Sequence, residues 1–315
     1  MAPKVFIDGE AGTTGLEIRQ RLSGRRDLEV LSIAEARRKD VEARRELINA
    51  ADAVILCLPD DAAREAVGLV ESNSVRVIDA STAHRTAPGW VYGFPEMTAG
   101  QRQAVADGTR ISNPGCWATG FVGLVRPLVE AGLLPADHPV SVHGVSGYSG
   151  GGKSMIAEFE DAGLANHTQV PYRLYALGLE HKHLPEMQRH AGLTHRPLFT
   201  PAVGRYFKGM IVEVPLDLAA LPGSPSLTAV RDCLAAAFAG EPFVEVASAS
   251  ETAAVSTLDP EGLNGTNVMR LFVFGAERAG QARLVALLDN LGKGASGAAV
   301  QNLNLALGLP EGAGL

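Results

Sequence analysis

The first fifteen residues place a glycine-rich turn directly after a short apolar segment. Residues 4–8 are predicted to form a strand, and Gly9, Gly12 and Gly15 follow it with the spacing G-x-x-G-x-x-G before an amphipathic helix begins. In a strand–turn–helix unit, such glycines allow a tight turn, close approach of the backbone to a pyrophosphate and close packing of the helix on the strand. The segment therefore predicts a dinucleotide site at the start of a parallel sheet.

Apolar and helical segments continue to alternate after this turn. We expect strands at residues 28–33, 53–58 and 76–80, with helices between them. Alternation at this spacing is typical of a parallel sheet with right-handed crossovers, in which ligands lie beyond the carboxyl ends of the strands. Pro59 and Ser81 stand at two such ends and are expected to line a cofactor cleft, although both residue types also form turns.

The charges after the second strand indicate which dinucleotide binds. A carboxylate at this point binds the ribose 2′-hydroxyl of NAD, whereas basic groups accommodate the 2′-phosphate of NADP. Glu35 is close to this point but not at the usual place, and Arg37 and Arg38 follow it. We therefore expect NADP as the cofactor, with Arg37 and Arg38 among its ligands. A solvated helix face is the alternative role for either side chain.

A second turn, Asn113-Pro114-Gly115-Cys116, presents a cysteine at the start of a long apolar helix. Backbone N–H groups and the positive end of the helix dipole favour the thiolate, so we expect the pKa of Cys116 to lie below the free value of about 8.5. Such a thiol is a candidate nucleophile, although a cysteine behind a turn can also be buried and inert. The Cys116 backbone N–H and the Asn113 side chain are candidates to bind a tetrahedral oxyanion.

Residues 147–154 satisfy the Walker A pattern G-x-x-x-x-G-K-S between a predicted strand and a predicted helix. A P-loop nucleoside triphosphatase is therefore an alternative, but the nearest candidate for a Walker B strand is interrupted by Pro215. A loop of this kind can also bind a single phosphate or carboxylate. Ser146, Ser149 and Lys153 are expected to bind the phosphate or the carboxylate of a substrate, and Arg205 or Lys208 its other anionic group.

Two histidines, His181 and His183, stand just before a short helix that Pro185 is predicted to open. Histidine titrates near neutral pH, so proton transfer in partnership with Cys116 is the role that fits them best. His181 is the first candidate and His183 the second. A metal site is not expected, because no third ligand has a suitable spacing.

Composition narrows the partners of the 315-residue chain. The net charge is −7 and no basic run is longer than Arg37-Arg38-Lys39, so nucleic acid is not an expected partner. No apolar stretch reaches the length of a membrane span, and the N-terminus does not resemble a signal peptide. Three cysteines without metal-ligand spacing predict reduced thiols and a cytoplasmic location.

Seven stretches, in one order along nearly the whole chain, resemble those of the N-acetyl-gamma-glutamyl-phosphate reductases of arginine biosynthesis, specifically the shorter type. They are residues 9–15, 78–85, 92–96, 112–116, 146–153, 181–186 and 289–302. The resemblance implies an α/β fold with an NADP-binding Rossmann domain at 1–115. It further implies an α+β catalytic and substrate-binding domain at 116–290, similar to that of glyceraldehyde-3-phosphate dehydrogenase, and a C-terminal helix at 291–315 that returns to the Rossmann domain.

The same resemblance implies an enzyme that reduces N-acetyl-L-glutamyl 5-phosphate to N-acetyl-L-glutamate 5-semialdehyde with NADPH, through a thioester on Cys116. It also implies that Asn290 orients the nicotinamide amide. The pyrophosphate contacts are expected from Gly9, Gly12, Thr13, Thr14 and Gly15. The longer family type has a histidine where Ala202 stands here, and this departure adds weight to His181 or His183.

Several alternatives stay open at this point. An acyl phosphate reductase similar to aspartate-semialdehyde dehydrogenase would share the cysteine and the cofactor, and would prefer an unacetylated substrate. The nucleoside triphosphatase and a non-catalytic NADP-binding module are more distant possibilities. The expected partners are a small acyl phosphate and further copies of this chain, in a dimer or a tetramer.

Overall fold

The computed structural model describes residues 2–315, which form two compact units. The first unit joins the chain up to Gly115 with Ala295–Leu315, and the second unit is Cys116–Gly294. Within the described residues, no helix combines the length and the apolar composition that a membrane span needs.

The strands and helices alternate strictly only at the start of the chain. The strands are β1 Lys4–Asp8, β2 Glu29–Leu31, β3 Ala53–Leu56, β4 Arg76–Asp79, β5 Val91–Tyr92, β6 Arg110–Ser112, β7 Ser141–Gly147, β8 Tyr172–Leu174, β9 Leu198–Gly204, β10 Met210–Asp217, β11 Val244–Val246, β12 Met269–Ala276 and β13 Gln281–Leu288. The α-helices are α1 Thr13–Leu22, α2 Val41–Ala50, α3 Asp60–Gly68, α4 Gln101–Asp107, α5 Cys116–Glu130, α6 Gly152–Glu160, α7 Leu184–Ala191, α8 Leu227–Ala237, α9 Ala249–Ala254 and α10 Gly297–Ala306.

The first unit is built on a parallel sheet in the order β2-β1-β3-β4-β6-β5. Its strands are short apolar runs buried on both faces, as a parallel sheet between two layers of helices requires. Ile7 of β1 packs with Ile18 of α1 and Leu303 of α10, whereas the neighbouring Phe6 points to the opposite face and packs with Ile48 of α2. The C-terminal helix α10 therefore completes one face of this sheet.

The second unit contains a mixed sheet in the order β11-β12-β13-β10-β7-β9-β8. Most neighbouring strands are antiparallel, and β7–β9 and β11–β12 are the parallel pairs. Helix α5 packs against β10 and β13 with almost all of its side chains buried. The predicted fold class, an α/β Rossmann-type domain plus an α+β domain, is confirmed.

The opposite face of this sheet is covered unevenly. Over β12 and β13, Phe272 and Val285 pack with the partly buried Val255 and Leu258. At the other end of the sheet, the edge strand β8 leaves Tyr172 and Leu174 more than half exposed. Exposed apolar side chains on an open sheet edge are unusual in a monomer and indicate an association surface.

Candidate active site

The turn after β1 has glycine where the backbone has no room for a side chain. Gly9 has a φ of 88°, and a Cβ there would collide with the Cys57 carbonyl oxygen. A Cβ on Gly15 would lie 2.6 Å from the Gly9 carbonyl oxygen. The tight turn and the close packing of helix on strand that the glycine spacing predicts are therefore both present.

Helix α1 begins at Thr13 with an open N-terminus. Among the described residues, no side chain caps this end at Gly12, and the buried Oγ1 of Thr13 has no hydrogen-bond partner. Free N–H groups at a helix N-terminus together with an unpaired hydroxyl form a site for a phosphate group. Thr14 and Gly15 continue this first turn, so the predicted pyrophosphate contacts fit the geometry.

A pocket of about 340 Å³ extends from Gly9 to the segment after β2, where Arg38 and Lys39 line it. The apolar side chains of Ile33, Val41 and Leu58 also line this pocket. Arg37 is not among its lining residues, and its Nε binds Asp40 at 3.0 Å instead. Of the two predicted basic ligands, only Arg38 lines this pocket, together with Lys39, and the role of Arg37 stays a prediction.

Arg44 also lines this pocket, and sequence reasoning missed it. Its Nε and Nη2 donate to Oδ2 of Asp8 at 3.1 and 2.9 Å, and its Nη1 donates to Glu65 at 3.2 Å. Burial raises the pKa of Asp8 above its usual value, although Arg44 opposes this effect. The ion pair fixes the end of β1 beside Gly9. No local motif indicated it, since Asp8 and Arg44 are far apart in the sequence.

The loops after β3 and β4 are joined by hydrogen bonds. Asp60 accepts from the backbone N–H of Thr82 at 2.9 Å, directly after Pro59. The Ser81 hydroxyl donates to Asp79 at 2.7 Å and accepts from the Ala83 N–H at 3.1 Å. The Ser81 hydroxyl therefore forms its hydrogen bonds within the protein. It stabilises the loop, instead of making the predicted contact with the cofactor. Pro59 is exposed at the start of α3, where such a contact remains a prediction.

Asp79 is fully buried and also binds His84. Its Oδ2 accepts from Nδ1 of His84 at 2.6 Å, and the His84 ring stacks on Trp90 with 4.1 Å between the ring centroids. Arg85 donates to the Asn113 carbonyl at 3.0 Å. These bonds tie the loop after β4 to the end of β6.

Asn113 uses its side-chain amide inside the first unit. Its Nδ2 donates to the Ala295 carbonyl at 2.9 Å, and its Oδ1 accepts from Asn302 at 3.0 Å. The residue is 1% exposed. The structure therefore corrects the predicted oxyanion role, because both ends of this amide join β6 to α10.

Cys116 is the first residue of α5, and its thiol is partly exposed. The chain passes close to it at Gly294, where a Cβ would lie 2.7 Å from the Cβ of Cys116. Gly294 therefore has to be glycine for the backbone to approach the thiol. The predicted position of Cys116 at a helix N-terminus is what the structure shows, and its role as nucleophile stays a prediction.

Four aromatic residues of the second unit pack together beginning at Trp117, the residue after Cys116: Trp117, Tyr175, His181 and Phe199. Trp117 Nε1 donates to the Tyr175 hydroxyl at 2.9 Å, and the Phe199 ring lies 5.1 Å from the Trp117 ring and 5.0 Å from the His181 ring. Burial raises the pKa of Tyr175, and the negative charge of a Cys116 thiolate raises it further. His181 thus belongs to the same aromatic group as Trp117, and its predicted partnership with Cys116 stays a prediction.

The two histidines differ in their surroundings. His181 Nδ1 accepts the backbone N–H of His183 at 3.2 Å, and the His181 ring lies 5.7 Å from that of Tyr175. His183 is 6% exposed at the N-terminus of α7. His181 is therefore better placed than His183 to exchange a proton with a ligand.

The Walker-like segment does not form a phosphate loop. The backbone N–H groups of Gly147, Tyr148 and Ser149 donate to carbonyl groups of residues 206–209, each at 2.9 Å. In a P-loop these N–H groups point at the phosphates. The first three N–H groups of the segment are therefore not available to a phosphate.

Asn290 joins this segment to the loop after β9. Its Nδ2 donates to Ser149 Oγ at 3.0 Å, its Oδ1 accepts from the Gly209 N–H at 2.7 Å, and it is 2% exposed. The predicted contact with the nicotinamide amide is corrected, because Asn290 holds these two loops together. Lys208, on the same loop, lies 3.5 Å from Asp289.

The predicted anion ligands fall into two groups. Ser146 and Ser149 are buried at 3% and 2% exposure. Lys153, in the first turn of α6, and Arg205 are exposed. The cations are therefore available to a ligand, whereas the two serines lie inside the turn.

Comparison with known proteins decides the family. Residues 4–105 match the semialdehyde dehydrogenase NAD binding domain, and residues 116–290 match the semialdehyde dehydrogenase dimerisation domain. The N-acetyl-gamma-glutamyl-phosphate reductases of Brucella anthropi and Brucella ovis are each 57% identical over 98% of this chain, which covers 99% and 100% of their lengths. The chain belongs to the N-acetyl-gamma-glutamyl-phosphate reductase family. The family predicted from the sequence is thus confirmed, and with it an oxidoreductase that uses a nicotinamide cofactor.

Solved structures support the same fold at much lower identity. Aspartate semialdehyde dehydrogenase II from Vibrio cholerae is 16% identical with a TM-score of 0.70, over 98% of this chain and 99% of that one. Aspartate semialdehyde dehydrogenase with NADP from Candida albicans is 16% identical with a TM-score of 0.65, over 97% and 98% of the two chains. The dimerisation domain agrees with the predicted homo-oligomer.

Gly9 and Gly24 offer a matched test of the turn after β1, because both have positive φ, 88° and 79°. A Cβ on Gly9 would meet backbone atoms of Cys57. A Cβ on Gly24 would have no described atom within 4 Å outside its own chain neighbours. Alanine at either position costs about 1–2 kcal/mol for its φ alone. We expect Gly9→Ala to lower the free energy of unfolding more than Gly24→Ala, and to weaken NADPH binding by about tenfold or more. Denaturant titration and NADPH fluorescence titration measure both effects, and equal NADPH affinities of the two variants would contradict the assignment.

Proposed function

We propose that this protein reduces N-acetyl-L-glutamyl 5-phosphate to N-acetyl-L-glutamate 5-semialdehyde with NADPH, in arginine biosynthesis, through a thioester on Cys116. The observation that carries the proposal is the position of Cys116 at the start of α5, next to Trp117, whose indole binds Tyr175 in the same aromatic group as His181. A cysteine at a helix N-terminus with a histidine nearby has the surroundings of an activated nucleophile. The names of relatives that are 57% identical supply the substrate.

The reaction takes two steps on Cys116. The thiolate adds to the acyl carbon and the bond from that carbon to the phosphate oxygen breaks, which leaves a thioester and inorganic phosphate. When bound, NADPH supplies the hydride that reduces the thioester to a hemithioacetal, and breakage of the C–S bond then releases the aldehyde and the thiolate. The Cys116 backbone N–H at the start of α5 is our choice to stabilise the oxyanion of each step.

His181 is our choice for proton transfer. The net reaction takes up one proton, which leaves with the phosphate. Because Nδ1 of His181 accepts a backbone hydrogen bond, the neutral ring carries its proton on Nε2. Nε2 can donate this proton to the departing phosphate and recover one from water. His183 stays the second choice.

Lys153 and Arg205 are our choices for the anionic groups of the substrate, because both are exposed in the second unit. Lys208 is partly neutralised by Asp289, so we assign it a smaller share of the binding. Ser146 and Ser149 support the turn from within.

Cys116 is the thiol best suited to this chemistry. Burial, and the charges of Asp79 and Asp8, raise the pKa of Cys57 to about 12. Burial also raises the pKa of Cys233. All three cysteines are free thiols, which fits the cytoplasmic location that we propose.

Replacement of Cys116 by serine tests the mechanism directly. Serine is a far weaker nucleophile near neutral pH, so we expect Cys116→Ser to lower kcat/KM for the acetylated acyl phosphate by about a thousandfold or more. NADPH binding should change less than about twofold, since the cofactor residues are untouched. Steady-state rates and NADPH titration measure the two effects, and substantial retained turnover would rule out the thioester route.

The substrate distinguishes this proposal from its main rival. An enzyme similar to aspartate-semialdehyde dehydrogenase would prefer aspartyl phosphate, and the solved neighbours carry that activity in their names. The 57% identity to acetylglutamyl-phosphate reductases favours the acetylated substrate, whereas 16% identity supports only the fold. A non-catalytic NADP-binding module would leave Cys116 inert toward substrate.

We propose NADP over NAD because Arg38 and Lys39 line the pocket beside Gly9. We expect Arg38→Ala to weaken NADP binding by about tenfold or more, because a hydrogen bond to a charged group contributes about 1.5–3 kcal/mol. NAD binding should not change, since NAD lacks the 2′-phosphate. Arg37→Ala is the matched control, because Arg37 does not line the pocket whereas Arg38 does, and each of the two pairs with a carboxylate on the surface. Isothermal titration with both cofactors measures the four affinities; equal losses for NADP and NAD would contradict the assignment.

We propose that the oligomer is a homodimer formed through the open end of the second unit's sheet. Tyr172, Leu174 and Leu177 are 57%, 54% and 79% exposed in this segment, and Leu198 on β9 is 48% exposed. Arg173 points to the other face, where it binds Glu158. A two-fold axis brings the same surface of two copies together. The exposed apolar side chains of this edge, which we call the apolar strip, can then pack against the same side chains of the other copy.

A charged residue on this strip should separate the copies. We expect Leu174→Asp to shift the molar mass in solution toward the 33.0 kDa of one chain, because an aspartate would be desolvated in the interface. Leu16→Asp is the control, since Leu16 is 53% exposed on α1 in the first unit. Light scattering after size-exclusion chromatography gives the masses. If Leu174→Asp kept the molar mass of the wild-type dimer, the interface would have to lie elsewhere.

A further inference from the structure

Arg44, a buried residue of α2, binds two carboxylates that differ in their surroundings. Asp8 is the last residue of β1 and is also buried, and its Oδ2 accepts from Nε and Nη2 of Arg44 at 3.1 and 2.9 Å. Glu65, on α3, accepts from Nη1 at 3.2 Å, and 53% of its side chain is exposed. One buried cation is therefore shared by a buried anion and an exposed anion.

Asp8 by itself balances the charge of Arg44. A buried charge needs a partner of opposite sign, and Asp8 provides one that accepts two hydrogen bonds from the guanidinium. Glu65 brings a second negative charge to the pair: burial raises the pKa of Asp8, Arg44 opposes this effect, and the charge of Glu65 adds to it. An ion pair with a half-exposed carboxylate contributes little to stability. Glu65 can therefore leave Arg44 without exposing a buried cation that lacks a partner.

Arg44 and Glu65 both line the pocket at the end of β1, together with Arg38 and Lys39, the residues on which the proposed choice of NADP depends. A guanidinium has five N–H donors, and the two carboxylates use three of those of Arg44. The two other donors have no partner among the described residues. Arg44 can therefore bind an anion in this pocket, at the place where Glu65 binds it now.

Glu65 differs from the other carboxylates of this pocket. Among the described residues, Asp8, Glu10 and Glu65 are the acidic residues that line it. Asp8 is bound to Arg44, and Glu10 pairs with Arg19 at 3.4 Å, outside the pocket lining. Glu65 alone pairs with a cation that a second carboxylate already neutralises. A phosphate that enters the pocket meets this charge as a competitor.

We propose that Glu65 determines how strongly the site selects NADP: its carboxylate occupies Nη1 of Arg44 in the free protein, and the 2′-phosphate displaces it and accepts that hydrogen bond. This inference rests on the proposed choice of NADP and extends it to a residue of α3. NAD has no anion that could take the place of Glu65, so the competition concerns only the phosphorylated dinucleotide. Glu65 therefore limits the affinity for NADP and leaves the affinity for NAD unchanged.

Fragments of the dinucleotide test this inference without substrate, hydride or the Cys116 thiol. 2′-Phosphoadenosine 5′-phosphate carries the 2′-phosphate and adenosine 5′-phosphate lacks it, and isothermal titration gives both affinities. We expect Glu65→Gln, which keeps the shape and removes the charge, to bind the first fragment about fivefold more tightly. The affinity for the second fragment should change less than about twofold. The gain should shrink at high salt, because Glu65 is half exposed and its charge is then screened.

Asp61→Asn is the matched control. It removes a carboxylate from the same helix, but Asp61 pairs with Arg64 at 3.0 Å and does not line the pocket. Arg44→Lys tests the route of the effect, since lysine keeps a cation for Asp8 and lacks the fork that reaches a second anion. In that background, Glu65→Gln should tighten binding by less than about twofold.

Thermal unfolding checks that each variant is folded. An affinity of Glu65→Gln for 2′-phosphoadenosine 5′-phosphate equal to that of the wild type, or a gain of the same size in Asp61→Asn, would overturn the inference alone. A full gain in the Arg44→Lys background would also overturn it, because Glu65 would then act without Arg44. A wild-type protein that binds both fragments equally would contradict the proposed choice of NADP, and the inference with it.

Discussion

The start of helix α5 is the constraint on which the rest of the site depends. Its first residue is Cys116, and its side chains are buried almost throughout, so the helix cannot turn or slide without disrupting the core. Gly120 lets the helix approach β10 so closely that a Cβ there would lie 2.7 Å from the Val212 side chain. Gly294 allows an equally close approach at Cys116 itself. The first turn of α5, and with it Cys116, is thereby held in place by the packing of the whole helix.

Backbone hydrogen bonds, more than residue types, decide what the two glycine-rich segments can bind. After β1, the helix N-terminus is open and Thr13 has a buried hydroxyl without a partner among the described residues, so a phosphate fits. In the Walker-like segment, the N–H groups of Gly147 and Tyr148 are already bound to carbonyl groups of the neighbouring loop. Both segments satisfy a phosphate-binding sequence pattern, but in the second one the first three N–H groups are bound within the protein.

Several polar residues that the sequence predicts as ligands form hydrogen bonds that join segments of the protein. Ser81 binds Asp79, Asn113 joins β6 to α10, and Asn290 bridges Ser149 and Gly209. A buried amide or hydroxyl has to be hydrogen-bonded, and the protein supplies these partners from distant segments. The position of a residue in a motif therefore indicates where a site lies. The hydrogen-bond partners from other segments determine which side chains remain available to a ligand.

The sequence by itself determined the features that depend on local order: the turn after β1, the alternation of strands and helices, and the placement of Cys116 at a helix start. These follow from glycine spacing and apolar periodicity, which act over a few residues. Only the tertiary structure decided that Lys39 lines the pocket and Arg37 does not, and that Tyr175 binds the residue after Cys116. The Trp117–Tyr175 bond joins residues 58 positions apart. Neither segment carries a local signal for the other, because that contact exists only once the sheet and α5 have packed together.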